Sequence, residues 1–160
     1  MTEGTRQRAL ELWEQGTEAL MSGDVDGAVD LFTESLKTEP TAEAYTFRGW
    51  AYSFKNQFDE AIEECRKAIA TDPAFGNPYN DIGSYLVRLA RSDEAVEWFT
   101  RAKKADRYEP RHFPYLNLGR LYFARGDYAE AEEEFHAALR INPGDVVATL
   151  FLAKLKLKVN

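Results

Sequence analysis

Three features are scarce in this sequence of 160 residues: cysteine, long apolar runs and positive charge. Its single cysteine, Cys65, excludes an internal disulfide, so nothing indicates an oxidising compartment. No run approaches the roughly 18 consecutive apolar residues of a membrane-spanning helix, so no membrane association is expected. Lysine and arginine total 20 against 27 aspartate and glutamate residues, a net charge of −7. Because phosphate backbones repel an acidic chain, nucleic acids are not expected as partners.

Motifs that carry catalysis or hold cofactors are missing as well. The sequence has no phosphate-binding loop, no dinucleotide fingerprint and no zinc-protease motif. Its two histidines, His112 and His136, lie 24 residues apart, and no cysteine or second histidine accompanies either at a metal-ligand spacing. We therefore expect no cofactor, no metal site and no catalytic activity.

The composition is that of a folded domain, with 44% hydrophobic and 13% aromatic residues. A chain of this length can form one domain with a substantial core. The N-terminal segment, Met1 to Arg8, is polar and has no apolar run typical of a signal peptide. The cytoplasm is therefore the expected location, although a signal peptide replaced by a start methionine would leave the same sequence.

Small residues recur along the chain at a constant period. Four glycines are spaced by 33, 34 and 36 residues, and four alanines follow them at the same intervals, each 12 residues after its glycine: Gly16, Gly49, Gly83 and Gly119, then Ala28, Ala61, Ala95 and Ala131. A period of this length is typical of a helical repeat protein. Two helices approach closely where one lacks a bulky side chain, so we expect each glycine to face its alanine across a helical hairpin.

The residues around each glycine and alanine complete a helical pattern. Apolar residues lie at spacings of 3, 4 and 7 from them, as on one stripe of a helix. Proline follows three of the alanines by 12 residues, at Pro40, Pro73 and Pro143, and ends the second helix. Pro78 and Pro114 suit first helical turns, and Asp127 with Glu130 has the spacing of a capping box.

The fourth copy is the clearest, and it resembles the tetratricopeptide-repeat signature: Tyr115-x-x-Leu118-Gly119-x-x-Tyr122, then Ala131-x-x-x-Phe135, then Pro143. The resemblance implies an all-α fold, a right-handed α-solenoid of four helical hairpins plus a C-terminal capping helix. The chain would form a single domain, with repeats at about 9–41, 42–75, 76–109 and 112–145 and the capping helix at about 146–159. Local departures are Gln15 and Arg48 before their glycines, Cys65 for an aromatic residue and Arg107 for a proline.

In the tetratricopeptide family the first helices line a concave groove that takes peptides. Carried over by position, the groove residues of this chain are Trp13, Thr17, Trp50, Phe54, Asn80, Ser84, Arg88, Asn117 and Arg120. Trp13 and Trp50 would flank one site that accepts an apolar side chain of the partner. The alternative is that the two indoles only pack between neighbouring hairpins.

The resemblance implies a non-catalytic module that binds a protein or peptide, as adaptor, scaffold or assembly chaperone. One variant of the family clamps heat-shock chaperones with a Lys–Asn pair, but Trp13 and Thr17 stand at those places here, so that partner is not expected. One alternative is a structural unit that forms weak homodimers through the C-terminal helix, where Leu150, Phe151 and Leu157 point to several sides. The other is that the chain is a fragment of a larger multidomain protein.

Overall fold

The computed structural model of the protein describes residues 2–159. These residues form helices α1 (Glu3–Met21), α2 (Val25–Thr38), α3 (Ala42–Phe54), α4 (Phe58–Thr71), α5 (Asn77–Arg88), α6 (Ser92–Lys104), α7 (Phe113–Arg125), α8 (Tyr128–Ile141) and α9 (Val146–Val159). Consecutive helices pair as four hairpins, and α9 packs on the last of them. The predicted all-α solenoid of four hairpins and a C-terminal helix is confirmed. No helix in the described part of the chain is both long and apolar enough to cross a membrane.

Local sequence signals account for most of the helix starts. The side chains of Asp24 and Thr41 accept hydrogen bonds from backbone N–H groups in the first turns of α2 and α3. Pro78 and Pro114 lie in the first turns of α5 and α7, where a missing N–H costs little. Asp127 precedes α8 but its side chain makes no capping bond, so the predicted capping box is wrong.

The hairpin glycines make room for an aromatic ring. A Cβ atom added at Gly83 would lie 2.5 Å from Cε1 of Phe99, and Gly16 and Gly119 face rings in the same way. The ring belongs to the residue four positions after the repeated alanine, so in three hairpins a phenylalanine ring is the nearest group to the glycine across the hairpin. In the second hairpin, where Cys65 replaces the phenylalanine, the nearest atom is the backbone oxygen of Ala61.

Each hairpin turn contains one residue with a positive φ angle. Gly23 and Gly126 have φ angles of 90° and 84°. The equivalent positions in the second and third hairpins carry Asn56 and Ala90, with φ angles of 58° and 59°. Because a Cβ atom disfavours this region, Ala90 carries strain that a glycine would not.

The third connection is held by hydrogen bonds that explain one departure from the repeat pattern. The N–H of Arg107 donates to the carbonyl of Ala74, and the carbonyl of Arg107 accepts from the N–H of Gly76. Its guanidinium contacts Glu43 at 2.8 Å and Asp72 at 2.5 Å. A proline at this position would lack the N–H, so the usual residue would break the link between the two loops.

The stack is curved, with the first helices inside. Neighbouring first helices contact one another, α1 with α3, α3 with α5, α5 with α7 and α7 with α9. Within the described residues, the second helices α2, α4, α6 and α8 make no such contacts with each other. First helices that lie closer together must line the concave side, which is where the sequence analysis placed the groove.

Candidate functional site

An open groove of about 880 Å³ crosses the concave face over α3, α5 and α7. Its apolar wall is formed by Trp50, Phe54, Phe58 and Leu121, and its polar wall by Ser84, Arg88, Asn117 and Arg120. The apolar wall comes from the second hairpin and from α7, whereas every cationic group comes from the third and fourth hairpins. The groove therefore offers an apolar surface beside a positively charged one.

Six of the nine predicted site residues line this groove: Trp50, Phe54, Ser84, Arg88, Asn117 and Arg120. Phe54 is 56% exposed, so much of its ring can be reached from the groove. Trp50 is half-buried and its ring lies 5.5 Å from that of Phe54. The remaining three residues, Trp13, Thr17 and Asn80, lie outside the groove lining.

The two tryptophans do not flank an open site. The Phe47 ring lies between them, with its centroid 5.1 Å from that of Trp13 and 5.8 Å from that of Trp50. It also packs on Phe32 in the core of the first hairpin. The prediction that a partner inserts a side chain between the indoles is therefore wrong, because Phe47 of this chain fills that place. The Thr17 hydroxyl donates to the Trp13 carbonyl and is satisfied locally.

Asn80 supports the groove from below. Its side chain is almost fully buried, and its Oδ1 accepts a hydrogen bond of 2.9 Å from Nδ2 of Asn117. Its backbone carbonyl accepts a bond from the Ser84 hydroxyl. Asn80 therefore orients a groove residue on the next first helix, and it does not itself face the open volume.

Two groove arginines have no carboxylate partner within 4 Å among the described residues. The Arg88 guanidinium lies 4.9 Å from the centroid of the Phe58 ring. The Arg120 guanidinium lies 6.0 Å from the centroid of the Phe151 ring. Arg125, at the edge of the groove, differs from them because it is paired with Asp93. Arg88 and Arg120 therefore keep their hydrogen-bond donors available for an anionic group.

Tyr85 lies on the groove floor and was missed by the sequence analysis. Its hydroxyl is buried without a hydrogen-bond partner in the described structure, and it lines the groove near Ser53. Burial raises the pKa of Tyr85, so the hydroxyl stays protonated and can donate. Ser53, Phe58 and Val87 also line the groove and were not predicted. Ser53 and Val87 could have been found, because each lies four residues after a repeat glycine. Phe58 lies at the start of a second helix, where the repeat spacing indicates no groove residue.

The carboxyl group of Asp81 lies one helical turn before Tyr85 on α5. Asp81 is half-buried, and burial raises the pKa of its carboxyl group to about 7. A hydrogen bond with Asn80 acts in the opposite direction and is the weaker effect. Burial also raises the pKa of the Cys65 thiol, with a smaller contribution from the Asp81 charge. Cys65 is fully buried, which makes its thiol unreactive.

Metal-ligating side chains are not clustered in the part of the chain that the structure describes. His112 lies 3.5 Å from Asp145, which accepts a hydrogen bond from the N–H of Ala148 at the start of α9. His136 lies 3.7 Å from Glu132 on the same helix. Both histidines have local contacts that account for their positions.

The chain belongs to the tetratricopeptide-repeat family. Models of this repeat match residues 42–75, 77–109 and 112–145, more than half of the chain. The matched segments contain the three hairpins that line the groove. This membership, together with the relatives, supports a role as a protein- or peptide-binding adaptor.

Several known proteins are similar. The small glutamine-rich tetratricopeptide repeat-containing protein 2 of Saccharomyces cerevisiae is 30% identical over 98 residues, 61% of this chain and 28% of that protein. The type IV pilus assembly protein PilF of Pseudomonas aeruginosa is 27% identical over 98% of this chain and 63% of that protein. The solved PilF structure has a TM-score of 0.90 at 25% identity, and covers 98% of this chain and 71% of that one.

The likeness extends to a solved peptide complex. The second tetratricopeptide domain of Spaghetti (RPAP3), bound to the HSP90 peptide SRMEEVD, matches with a TM-score of 0.60. It is 20% identical and covers 65% of this chain and 99% of that chain, so the likeness shows the fold alone. The chain spans less than two thirds of the length of the curated relatives named above.

Proposed function

We propose that the groove over α3, α5 and α7 binds an extended segment of a protein partner that carries an apolar side chain and a carboxylate. The observation that carries the proposal is the pairing of an exposed aromatic wall with two arginines that have no carboxylate partner in the described structure. The proposed role is non-catalytic, as adaptor, scaffold or assembly chaperone.

The apolar side chain would be held against Trp50, Phe54 and Phe58. These rings come from the end of α3 and the start of α4, and Phe54 leaves more than half of its surface to solvent. Aromatic and arginine residues that become buried on binding contribute most of the affinity of typical interfaces. An apolar ligand group at this place would cover Phe54 without disturbing the hairpin core.

The carboxylate would be held by the two groove arginines. Arg88 and Arg120 lie on adjacent first helices and can donate charge-assisted hydrogen bonds to one anionic group.

A displayed library of random peptides, each long enough to span the groove when extended, tests the proposal without knowledge of the natural partner. We expect the wild-type protein to select peptides with an aromatic or large aliphatic residue near an aspartate, a glutamate or the terminal carboxylate. Arg120→Gln should remove the acidic preference, and Phe54→Ala should remove the apolar one.

Glu133→Ala supplies the matched control, because Glu133 is exposed on the convex helix α8. It should leave both preferences unchanged. Selection of peptides without an acidic residue, or equal selection by the Arg120→Gln variant, contradicts the proposed groove. The cytoplasm remains the proposed location, which the single buried free thiol of Cys65 supports.

A second proposal concerns the end of the solenoid, where we infer weak self-association through α9. The observation that favours it is the exposure of Val146, Leu150 and Leu157, at 77%, 52% and 83%. Phe151, which the sequence analysis considered part of this surface, instead stacks on Phe135 at 5.0 Å. The contact surface is therefore the side of α9 that faces away from the fourth hairpin.

A further inference from the structure

Helix α9 occupies the position of the first helix of a fifth hairpin. Its Phe151 packs on Phe135 of the preceding hairpin. In the same way, Phe47 of the second hairpin packs on Phe32 of the first. Ala153 stands where the first helices of the four hairpins carry glycine. Within the described residues α9 packs on α7 and α8 of the fourth hairpin, but it has no second helix of its own, whereas α1, α3, α5 and α7 pair with α2, α4, α6 and α8.

The uncovered side of α9 is a continuous apolar stripe. Val146, Leu150, Ala153 and Leu157 follow one another at spacings of 4, 3 and 4 residues, which places them on one face of the helix. The opposite face carries Ala148 and Leu155, which are buried against the fourth hairpin. A helix that is apolar on both faces normally has both covered.

We propose that the stripe is covered by α9 of a second copy, packed antiparallel, so that two solenoids join tail to tail. The inference rests on the self-association proposed above and is independent of peptide binding. When the helices cross between Leu150 and Ala153, Leu150 faces Ala153 of the partner copy and Val146 faces Leu157. Each large residue at the centre then meets a small one, which allows the close packing that helix pairs require. Antiparallel packing also reproduces the direction in which a second helix meets a first helix in each hairpin.

The charges of α9 favour the same orientation. Lys154, Lys156 and Lys158 all lie in its C-terminal half, and the helix contains no acidic residue. A parallel pair would place the two sets of lysines side by side, where like charges repel. The antiparallel pair separates them and sets each against the lysine-free half of the other helix.

One helix pair is a small contact. Two helices of 14 residues bury less than the roughly 1,200–2,000 Å² of a standard stable interface. The expected dimer is therefore weak and depends on concentration.

Sedimentation equilibrium of the full chain, between about 10 µM and 1 mM, tests whether the dimer forms. The wild type should dimerise with concentration, and Leu150→Glu should weaken the dimer at least about tenfold. Leu150 is half-exposed, so this variant should fold, which circular dichroism checks. The matched control is Glu133→Lys, an exposed change of charge on α8, which should leave the dimer intact.

Disulfide trapping tests the orientation. A mixture of Val146→Cys and Leu157→Cys chains should form cross-linked heterodimers under mild oxidation, because the two positions face each other. Leu157→Cys alone should not cross-link, since its two copies would lie about 16 Å apart along the helix axis. Cys65 is buried and provides no competing thiol.

The outcomes separate the two levels of the inference. A wild type that stays monomeric at the highest concentration overturns both the self-association and its antiparallel form. Dimers in which Leu157→Cys cross-links with itself overturn the antiparallel form alone. Cross-linking confined to the mixture, together with a dimer that Leu150→Glu weakens, supports the tail-to-tail contact.

Discussion

The hairpin interiors and the groove differ in how strictly they repeat. In three hairpins the same ring stacks on the same glycine, and the alanine beneath it is fully buried. The residues one position after each glycine change instead from Thr17 to Trp50, Ser84 and Arg120, and the last three line the groove. Repeated residues thus belong to the packing that every hairpin needs, and residues that change between hairpins are those that solvent or a partner can reach.

Residues that pack between neighbouring hairpins repeat less strictly than those inside the hairpins, although they are not open to a partner. Phe47 lies two residues before Gly49 and Phe151 two residues before Ala153, and both pack on the preceding hairpin. At the same position of two other repeats, Asn117 bonds to Asn80 and Asp81 has a raised pKa. These contacts are internal, yet they vary in chemistry. A position that changes between repeats therefore does not by itself mark a binding residue.

Gly83→Leu should have the largest effect on stability, because it places a side chain in the packed interior that three hairpins share. Even a Cβ atom would lie 2.5 Å from the Phe99 ring, and this ring is fully buried and cannot move aside. We expect a loss of at least about 3 kcal/mol in the free energy of unfolding, measured by urea denaturation. Gly4→Leu is the control, since an added Cβ there meets nothing within 4 Å. An unchanged midpoint for Gly83→Leu would show that the hairpin register is wrong.

Asp81→Asn should stabilise the protein at alkaline pH. The pKa of Asp81 is raised by burial from 3.8 to about 7, so the folded state favours its protonated form. This contribution to stability is present below about pH 4 and is lost as the pH rises through about 7. We expect Asp81→Asn to raise the free energy of unfolding by about 1–3 kcal/mol at pH 8 and by little at pH 4. Asp106→Asn changes an exposed aspartate and is the control. A stability difference between the wild type and Asp81→Asn that is the same at pH 4 and at pH 8 would contradict the raised pKa of Asp81.

Phe54→Ala should weaken binding of a selected peptide and leave the fold intact. Because its side chain is 56% exposed, its removal should change the free energy of unfolding by less than about 1 kcal/mol. Loss of a central anchor usually costs about 2 kcal/mol, some thirtyfold in affinity, which titration calorimetry measures. Trp50→Ala should lower both affinity and stability, since its ring also contacts Phe47. Full affinity in Phe54→Ala would remove the aromatic wall from the proposed site.

Ala90→Gly should give the smallest effect and increase stability. Ala90 has a φ angle of 59°, and relief of its Cβ strain should add about 1 kcal/mol to the free energy of unfolding. Ala124→Gly, within the last turn of α7, should instead destabilise by about 0.5–1 kcal/mol. Equal destabilisation by both variants would contradict the positive φ angle of Ala90 in the turn of the third hairpin.

Much of the fold was predictable from the sequence because its determinants are local and repeated. Glycine and alanine at a period of 33 to 36 residues, with apolar spacings of 3 and 4, define the helices and their pairing. The prolines Pro78 and Pro114 indicate helix starts correctly. Which helices line the concave side was implied by the resemblance to the tetratricopeptide family.

The site was less predictable because its contacts join residues on different hairpins. Phe47 fills the space between Trp13 and Trp50 only when adjacent first helices are placed at their actual rotation. The bond from Asn117 to Asn80 depends on the same rotation. One-dimensional spacing places a residue on a helix face but leaves the facing residue of the next hairpin undefined.

Photo-cross-linking of a library-selected peptide tests the central claim most directly. The peptide would carry a photoreactive group in place of its apolar residue, and the cross-linked residues would be identified by mass spectrometry. Cross-links to Phe54, Phe58 or Leu121, abolished by excess unlabelled peptide, are the predicted result. Cross-links to the convex helices or to α9 would contradict the account, because the peptide would then bind outside the groove over α3, α5 and α7.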